Sequence, residues 1–375
     1  MTKKETLYKL TFKKKILFIL VYCLMCIVAM EVFCRFFFDE QKSGAPVLFS
    51  LLHEKLVGMY SYFPRLTSYD EIDSYEYRGE RIPAKKQNSL EFRIFILGGS
   101  AAYGLGVEDL NSTYFKVFEN FLNKNNPYKR EVTYKVISAA MVGINSAQEL
   151  VLLNSGILQF EPDLFIIYDG YNDIYTLSGA ASVPGYSPGF TRSAIILKSS
   201  PFTIALRRLY VQSSLLKSLG KLFKTTIIEK QLNKIQKDPI MHQNIARHYE
   251  RNLDNMCVLL KSYEVKTILA LQPSVIDKRK KTEFEATYSN HLPYGAELAE
   301  TLQVIYPFLK EALVKVGKRN NVLTFDFRGI YDDVSEEVYL DMVHQNEYGQ
   351  KILGKAFFDR FSSFIYKERE SVVVR

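Results

Sequence analysis

Three residues of this chain have the types and positions that nucleophilic catalysis requires. Ser100 follows the apolar run 92–97 and a pair of glycines, and His344 comes three residues after Asp341. A serine hydroxyl is a weak nucleophile that needs a base within hydrogen-bond reach. A histidine serves as that base when a carboxylate holds its other ring nitrogen, which fixes the tautomer and orientation. Ser100, His344 and Asp341 are therefore the candidate catalytic residues.

Two more residues could stabilise the negative charge that forms when a hydroxyl attacks a carbonyl carbon. Gly143 follows the apolar run 134–138, and Asn172 follows the apolar run 164–168. A glycine lets a backbone N–H approach a ligand closely, and an asparagine side chain offers another N–H donor. Gly143 and Asn172 are the candidate oxyanion donors.

Each motif also has a plain structural interpretation. Ser100 can cap a helix, and Gly143 can serve helix packing alone. A single Asp-x-x-His pair such as Asp341 and His344 arises often by chance. The Gly-x-Asn-Asp run that ends at Asp173 can form an Asx turn, with Asp173 as a cap or brace for its loop.

The elements that must position these residues alternate between strands and helices. Short apolar runs predict five strands, at 92–97, 134–138, 164–168, 265–271 and 322–327. Helical spacing predicts helices at 112–125, 145–159, 244–262, 295–319 and 346–364. This alternation indicates an α/β fold with a parallel sheet covered on both faces. The candidate residues would then meet at the carboxyl edge of that sheet, where open α/β folds bind ligands.

The N-terminal segment predicts a membrane helix. Residues 16–38 form a run of 23 residues, interrupted only by Glu31 and Arg35, which are spaced to pair on one helical face. Six lysines precede the run within residues 1–15. The positive-inside rule predicts a single-pass protein with a cytoplasmic N-terminus and residues 39–375 outside the cytoplasm. A cleaved signal peptide is the alternative, although the apolar run is long for one.

Composition and charge exclude several classes. The apolar fraction of 47% suits a globular chain with a large core. The net charge of +8 comes from residues 1–15 and from a basic segment at 192–237, so it gives no argument for a nucleic-acid partner. Three of the four cysteines lie in the apolar N-terminal run, which argues against a disulfide framework, and no Cys/His spacing indicates a zinc site. No metal and no cofactor are expected.

The predicted organisation has five parts and one insertion. The Gly-, Pro- and Ser-rich loop after the third strand and the basic, leucine-spaced stretch after it form the insertion. It is expected to be a helical hairpin with a solvated basic face, or alternatively a surface for anionic lipid or polymer. The parts are a basic tail at 1–15, a transmembrane helix at 16–38, a connector at 39–90, a main domain at 91–365 with the insertion at about 175–240, and a C-terminal tail at 366–375.

Four blocks of the chain resemble those of the SGNH/GDSL hydrolase superfamily. They occur in the order of that family and are Gly98-Gly99-Ser100, Gly143, Gly170-Tyr171-Asn172-Asp173 and Asp341-Met342-Val343-His344. The resemblance covers roughly residues 90–365. It implies a flavodoxin-like three-layer sandwich and Ser-His-Asp ester chemistry. It also implies Ser100 as nucleophile, His344 as base oriented by Asp341, and an oxyanion hole made by the N–H groups of Ser100 and Gly143 with the Asn172 side chain.

The chain departs from the family pattern at Gly99, where the family often has aspartate. That aspartate is not one of the triad members, so the departure does not exclude activity. Membrane-anchored members with a Gly-Gly-Ser block are similar to this chain, including the Gly-x-Asn-Ser pattern at 143–146.

Several functions agree with these features. The first is a membrane-anchored serine esterase that removes O-acyl groups, acetyl above all, from an extracytoplasmic glycan. The second is an O-acyltransferase acting on a surface or cell-wall polysaccharide, which would need a multi-span membrane partner to supply the acyl donor. A lipid esterase and a catalytically silent glycan-binding protein are further alternatives.

Overall fold

The computed structural model describes residues 12–37, 74–78, 80–88, 90–128, 132–175, 213–291 and 294–373. The chain divides into two compact units. One contains the N-terminal helix and the first part of a later helix, up to Thr226. The other contains the α/β domain and the rest of that helix.

The α/β domain is built on a five-stranded parallel sheet, as the sequence predicts. Its strands are β3 (Glu91–Leu97), β4 (Thr133–Ser138), β5 (Leu164–Asp169), β6 (Lys266–Leu271) and β7 (Leu323–Asp326). The spatial order is β4-β3-β5-β6-β7, and every neighbouring pair is parallel. This is the 2-1-3-4-5 order of flavodoxin-like doubly wound folds, whose ligands bind beyond the carboxyl ends of the strands next to the point where the order reverses. Here that point lies at β3, the strand that leads to Ser100.

Helices pack in two groups around this sheet. In chain order they are α2 (Tyr114–Lys124), α3 (Ser146–Asn154), α4 (Tyr171–Tyr175), α5 (Ser214–Lys237), α6 (Pro239–Ser262), α7 (Glu283–His291), α8 (Gly295–Asn320) and α9 (Glu347–Val373). Helix α2 packs against α9, whereas α6 packs against both α3 and α8. The central strands β3, β5 and β6 are buried along most of their length, and β5 is buried at every position, whereas the edge strand β7 is only partly buried.

Aromatic side chains fill much of the core. The Phe357 ring lies 4.7 Å from that of Phe327, 5.1 Å from Tyr114 and 5.3 Å from Tyr168, measured between centroids. Burying one such ring contributes about 1.5–3 kcal/mol. This cluster joins β5, α2 and α9, so the first and last helices of the domain share one packing centre.

Some helix ends differ from the sequence prediction for local reasons. Helix α6 starts at Pro239 rather than 244, because the Asp238 side chain accepts hydrogen bonds from two N–H groups of the first turn and proline suits that turn. Helix α3 ends at Asn154 rather than 159, because Gly156 adopts a φ of +124°. A short 3₁₀ helix, Ile157–Phe160, follows.

The C-terminal helix is longer than predicted. Helix α9 runs through residue 365 to Val373, so the expected boundary between domain and tail falls inside a helix. Tyr366 donates a hydrogen bond to the Leu122 carbonyl at 2.9 Å, and Glu368 pairs with Lys266 at 2.9 Å. These contacts stabilise the part of α9 that lies beyond its predicted end at residue 364.

Part of the predicted connector is an antiparallel hairpin, β1 (Ser74–Tyr77) and β2 (Glu80–Pro83). Between its strands, the Arg78 guanidinium donates hydrogen bonds to the carbonyls of Tyr103 and Val107, at 3.1 and 2.5 Å. It also lies 4.4 Å from the centre of the Tyr103 ring. Arg78 therefore fastens the hairpin to the turn that follows Ser100.

Helix α1 (Phe12–Phe37) is apolar and exposed. Among the described residues it is the one helix that is long and apolar enough to cross a membrane, over Lys14–Cys34, and a signal sequence near an N-terminus has the same properties. Glu31 accepts hydrogen bonds from the Ser213 hydroxyl at 2.7 Å and the Leu215 N–H at 2.9 Å. The Arg35 side chain, its expected partner, lies outside the described residues.

Residues 176–212 of the predicted insertion also lie outside the described residues. The remainder forms α5, whose second half buries Ile228, Leu232 and Ile235. Lys230, Lys234 and Lys237 are exposed on the other side of the same helix. This part of the insertion thus has an apolar inner face and a basic outer face.

Candidate active site

The structure brings Ser100, His344 and Asp341 into one hydrogen-bonded chain. The Ser100 hydroxyl lies 2.7 Å from Nε2 of His344. Nδ1 of the same ring lies 2.5 Å from Oδ2 of Asp341. A ring that donates from Nδ1 to the carboxylate presents Nε2 as an acceptor for the serine hydroxyl. The hydroxyl bonds to the histidine, the arrangement of a nucleophile and its base rather than of a helix cap.

Backbone groups hold the aspartate in place. Oδ1 of Asp341 accepts hydrogen bonds from the N–H groups of Val343 and His344, both at 2.8 Å. Burial raises the pKa of the Asp341 carboxyl, but these bonds and the His344 ring outweigh burial and leave the pKa below its ordinary value. The carboxylate therefore remains ionised and can stabilise the imidazolium that forms when His344 takes a proton.

A buried ion pair stabilises the loop that carries Asp341 and His344. Glu285 of α7 accepts hydrogen bonds from the N–H groups of Val338 and Tyr339 at 2.9 and 3.2 Å. Its other oxygen lies 2.5 Å from the Lys278 ammonium, and both side chains are fully buried. Lys278 also donates to the Glu336 carbonyl at 2.6 Å. The segment just before the catalytic pair is therefore fixed by charge-assisted bonds.

Sequence inspection missed this ion pair. The run Thr282-Glu-Phe-Glu285 does have the capping-box pattern, and Thr282 and Glu285 do exchange hydrogen bonds at the start of α7. That pattern predicts where the helix begins. It does not reveal that the second oxygen of Glu285 reaches a segment more than fifty residues away.

The turn around Ser100 depends on two glycines that leave no room for side chains. A Cβ placed on Gly98 would lie 2.1 Å from the Tyr168 carbonyl oxygen, which belongs to the neighbouring strand β5. A Cβ placed on Gly99 would lie 2.2 Å from Nδ2 of Asn172. The Asn172 amide therefore packs directly against Gly99, the residue at which the chain departs from the family pattern.

The two candidate oxyanion donors lie in segments that are hydrogen-bonded to each other. Gly143, at a φ of +79°, lies in the loop after β4, and a Cβ there would have no atom within 4 Å. Asn172 lies in α4, directly after β5, and its Nδ2 donates to the Ile144 carbonyl at 2.6 Å. This bond orients the Asn172 amide beside Gly99 and Ser100. A hydroxyl nucleophile and N–H donors at one sheet edge can together perform acyl transfer.

The described residues contain no group of three or more His, Cys, Asp or Glu side chains arranged to hold a metal ion.

No protein-family model matches the sequence. No curated protein matches it either. Three solved structures with similar folds are LAE5, an alpha/beta hydrolase enzyme from the metagenome of Lake Arreo in Spain, an acetyl xylan esterase called AlAXEase, and a GDSL-like lipase from Bacteroides thetaiotaomicron.

The identities of these three structures to the chain are 14%, 12% and 15%, and the TM-scores are 0.41, 0.40 and 0.38. The matches cover 72%, 72% and 73% of this chain, and 94%, 98% and 88% of the respective neighbours. At this level of similarity the neighbours assign no substrate and no residue role to this chain, so its function is argued from the site.

Proposed function

We propose that this protein is a membrane-anchored serine esterase that removes O-acyl groups, acetyl above all, from an extracytoplasmic glycan. The observation that carries the proposal is the chain of contacts from Ser100 Oγ through the His344 ring to Asp341, at 2.7 and 2.5 Å. A nucleophile, base and orienting carboxylate in this arrangement form the triad used in ester hydrolysis.

In the first half of the reaction the acyl group moves to the serine. Ser100 Oγ forms a bond to the ester carbonyl carbon while Nε2 of His344 takes the hydroxyl proton. The carbonyl oxygen becomes an oxyanion, which the N–H groups of Ser100 and Gly143 and the Asn172 amide stabilise. The bond to the alcohol oxygen then breaks, and the alcohol leaves with the proton from His344.

In the second half water repeats these steps. His344 takes a proton from water as the water oxygen attacks the acyl carbon. The bond to Ser100 Oγ breaks, the serine regains its proton from His344, and the carboxylic acid departs. Asp341 remains ionised throughout and stabilises each imidazolium.

Tyrosines near the triad support a glycan substrate. The rings of Tyr171 and Tyr175 stack at 5.6 Å with an angle of 19°, and the Tyr175 hydroxyl lies 3.5 Å from that of Tyr294. Burial raises the pKa of Tyr171, and the nearby Tyr175 and Asp341 groups raise it further, which agrees with a position beside the triad. Tyr171 is itself buried, so the exposed Tyr175 ring stacked on it is the one that can offer an apolar face and a hydroxyl group to the C–H and O–H groups of a sugar.

Helix α1 and the charge around it support the proposed location. The span Lys14–Cys34 is 21 residues long and exposed, and lysines cluster at its N-terminal side. Retention of this helix as an anchor would hold the catalytic domain on the outer side of the membrane, close to acylated surface polymers.

The test uses the full chain in detergent micelles, with p-nitrophenyl acetate, p-nitrophenyl octanoate and acetylated glycans as substrates. We expect hydrolysis of the acetyl esters that Ser100→Ala abolishes. The control Ser262→Ala changes a serine that is exposed at the end of α6 and should keep full activity. Circular dichroism checks that both variants fold.

Product analysis distinguishes the alternatives. Free acetate from the glycan supports the esterase, whereas acetyl label appearing on the glycan from a donor ester supports transfer. Faster cleavage of the octanoate ester would support a lipid esterase. Undiminished turnover by the folded Ser100→Ala variant would refute the proposal.

A further inference from the structure

Three buried carboxyl groups lie together beneath the candidate oxyanion loops. They are Glu149 of α3, Asp169 at the end of β5 and Asp173 of α4, with exposed fractions of 0%, 3% and 9%. We call them the acid cluster. The mechanism proposed above uses none of them. Carboxyl groups in such surroundings need hydrogen-bond partners or protons, because a buried unpaired charge is costly.

Only some of the carboxyl oxygens in the acid cluster accept hydrogen bonds. The Tyr249 hydroxyl of α6 donates to Oδ1 of Asp169 at 2.5 Å. Ser146 donates to Asp173 twice, from its hydroxyl at 2.5 Å and from its N–H at 3.2 Å. Asn252 of α6 in turn donates to the Ser146 hydroxyl at 3.0 Å. Asp173 is thus well supplied with donors.

Glu149 and Asp169 have fewer hydrogen-bond donors than Asp173. Both oxygens of Glu149 and Oδ2 of Asp169 are buried without a hydrogen-bond partner in the described part of the chain. Two ionised carboxylates cannot bond to each other, but a protonated one donates to its neighbour. A proton on Glu149 therefore supplies the missing partner for both groups.

The surroundings favour that proton. Glu149 faces Asp169 from β5, Asp173 from α4 and Tyr249 from α6, which are all acidic or phenolic groups. Burial, followed by the charges of Asp169 and Asp173, raises the pKa of Glu149 well above its ordinary value. Burial also raises the pKa of Asp169 to about 6 and that of Asp173 to about 7.

The acid cluster joins the two candidate oxyanion donors. Asp173 directly follows Asn172, and its partner Ser146 comes three residues after Gly143. The Asp173–Ser146 bonds therefore connect the start of α3 to α4, the helix after β5. The bond from Asn172 to the Ile144 carbonyl connects α4 to the loop between β4 and α3 in the same way.

We propose that the acid cluster positions the oxyanion donors and does so only while Glu149 holds its proton. The proposal rests on the proposed function, since it assigns a task within that reaction. Loss of the proton places a further negative charge next to Asp169 and Asp173 with no cation to balance it. The resulting repulsion moves α3 away from β5 and α4, and the donors separate. Stabilisation of the transition state decreases, whereas substrate binding is little affected.

The variant Glu149→Gln separates this role from mere packing. The glutamine amide has nearly the same shape and donates a permanent hydrogen bond to Asp169, whatever the pH. We expect the ratio of its kcat to that of the unaltered protein to rise by about five- to ten-fold between pH 6 and pH 9, with a flat ratio of KM values. The ratio cancels any pH dependence of kcat that both proteins share.

Two further variants complete the test. Glu149→Leu removes the donor, and at pH 6, where the unaltered protein holds the proton, we expect its kcat to be lower by more than about ten-fold with little change in KM. Glu300→Gln alters an exposed glutamate on α8 and should match the unaltered protein throughout. A kcat ratio for Glu149→Gln that stays flat with pH, or a folded Glu149→Leu variant with full kcat, would overturn the proposal.

A stability measurement tests for the proton on Glu149 without relying on catalysis. A carboxyl whose pKa is raised by folding makes the native state less stable as the pH rises, because the native state then binds more protons than the unfolded chain. We expect the melting temperature to fall less steeply from pH 6 to pH 9 in Glu149→Gln than in the unaltered protein. Identical slopes would contradict a proton on Glu149. An ester hydrolysis that does not depend on Ser100 would instead refute the proposed function and leave this comparison intact.

Discussion

The contact between Gly99 and Asn172 allows one substitution to test the oxyanion hole without touching a catalytic group. Gly99→Ala adds a single methyl group, whose carbon would lie 2.2 Å from Asn172 Nδ2 and 3.2 Å from the Ile144 carbonyl oxygen. Non-bonded heavy atoms are most stable about 3.5 Å apart, so the amide must retreat by about 1 Å. That movement breaks its 2.6 Å bond to Ile144 and takes its N–H away from Ser100.

The expected magnitude is that of one lost oxyanion donor. Removal of such a donor lowers kcat by about 10²–10³, or about 2.7–4 kcal/mol of transition-state stabilisation. The donor binds the oxyanion much more strongly than the ester carbonyl of the substrate, so KM should change by less than about three-fold. Gly329→Ala is the matched control, since its methyl group would meet only the flexible Asp332 side chain, at 3.3 Å.

The assay is the initial rate of p-nitrophenyl acetate hydrolysis by Gly99→Ala, Asn172→Ala and the double variant. If the methyl group acts by displacing Asn172, its effect disappears once that side chain is gone, and the double variant is no slower than Asn172→Ala. Fully additive losses would show that Gly99→Ala acts elsewhere. A folded Gly99→Ala variant with unchanged kcat would refute the placement of Asn172 in the oxyanion hole.

Three further variants test the candidate catalytic loop and the proposed anchor. Asp341→Asn should lower kcat by about 10³–10⁴, because His344 loses the carboxylate that fixes its tautomer, and steady-state kinetics on the same ester measure this. Because the folded state lowers the pKa of Asp341, its contribution to stability is lost as the pH falls below about 4, so the free energy of unfolding should fall less steeply below that pH in Asp341→Asn than in the unaltered protein. Glu285→Gln leaves the Lys278 ammonium buried beside a neutral amide, and urea unfolding should show a loss of about 3–5 kcal/mol; a loss below 1 kcal/mol would contradict the ion pair. Deletion of residues 1–38 should release the protein from membranes on fractionation while its specific activity on p-nitrophenyl acetate is kept.

The same kind of local pattern predicts both the sheet and the proximity of Ser100, Asp341 and His344. Apolar runs with short polar ends predict strands, and the loops after parallel strands lie at one edge of their sheet. Ser100 and Asn172 follow two such runs, and the Asp341/His344 pair precedes the last helix. Local spacing and general topology were therefore sufficient to place these residues at one edge.

The supports of the site could not be predicted in this way. The acid cluster depends on how α3, β5, α4 and α6 pack, and no local pattern reveals that Glu149 faces Asp169. The ion pair between Glu285 and Lys278 acts on a segment that is remote in the chain. Helix ends differ for smaller reasons, such as the cap supplied by Asp238.

The distance along the chain between the nucleophile and its base has a consequence for biosynthesis. Ser100 and His344 are 244 residues apart in sequence, and α9, which follows His344, completes the aromatic centre shared with α2. Contacts of such high sequence separation form late and slowly in folding. A partly synthesised chain that ends before His344 has the candidate nucleophile but not the candidate base. The candidate triad and the aromatic centre are therefore completed by the same C-terminal part of the domain, His344 and α9.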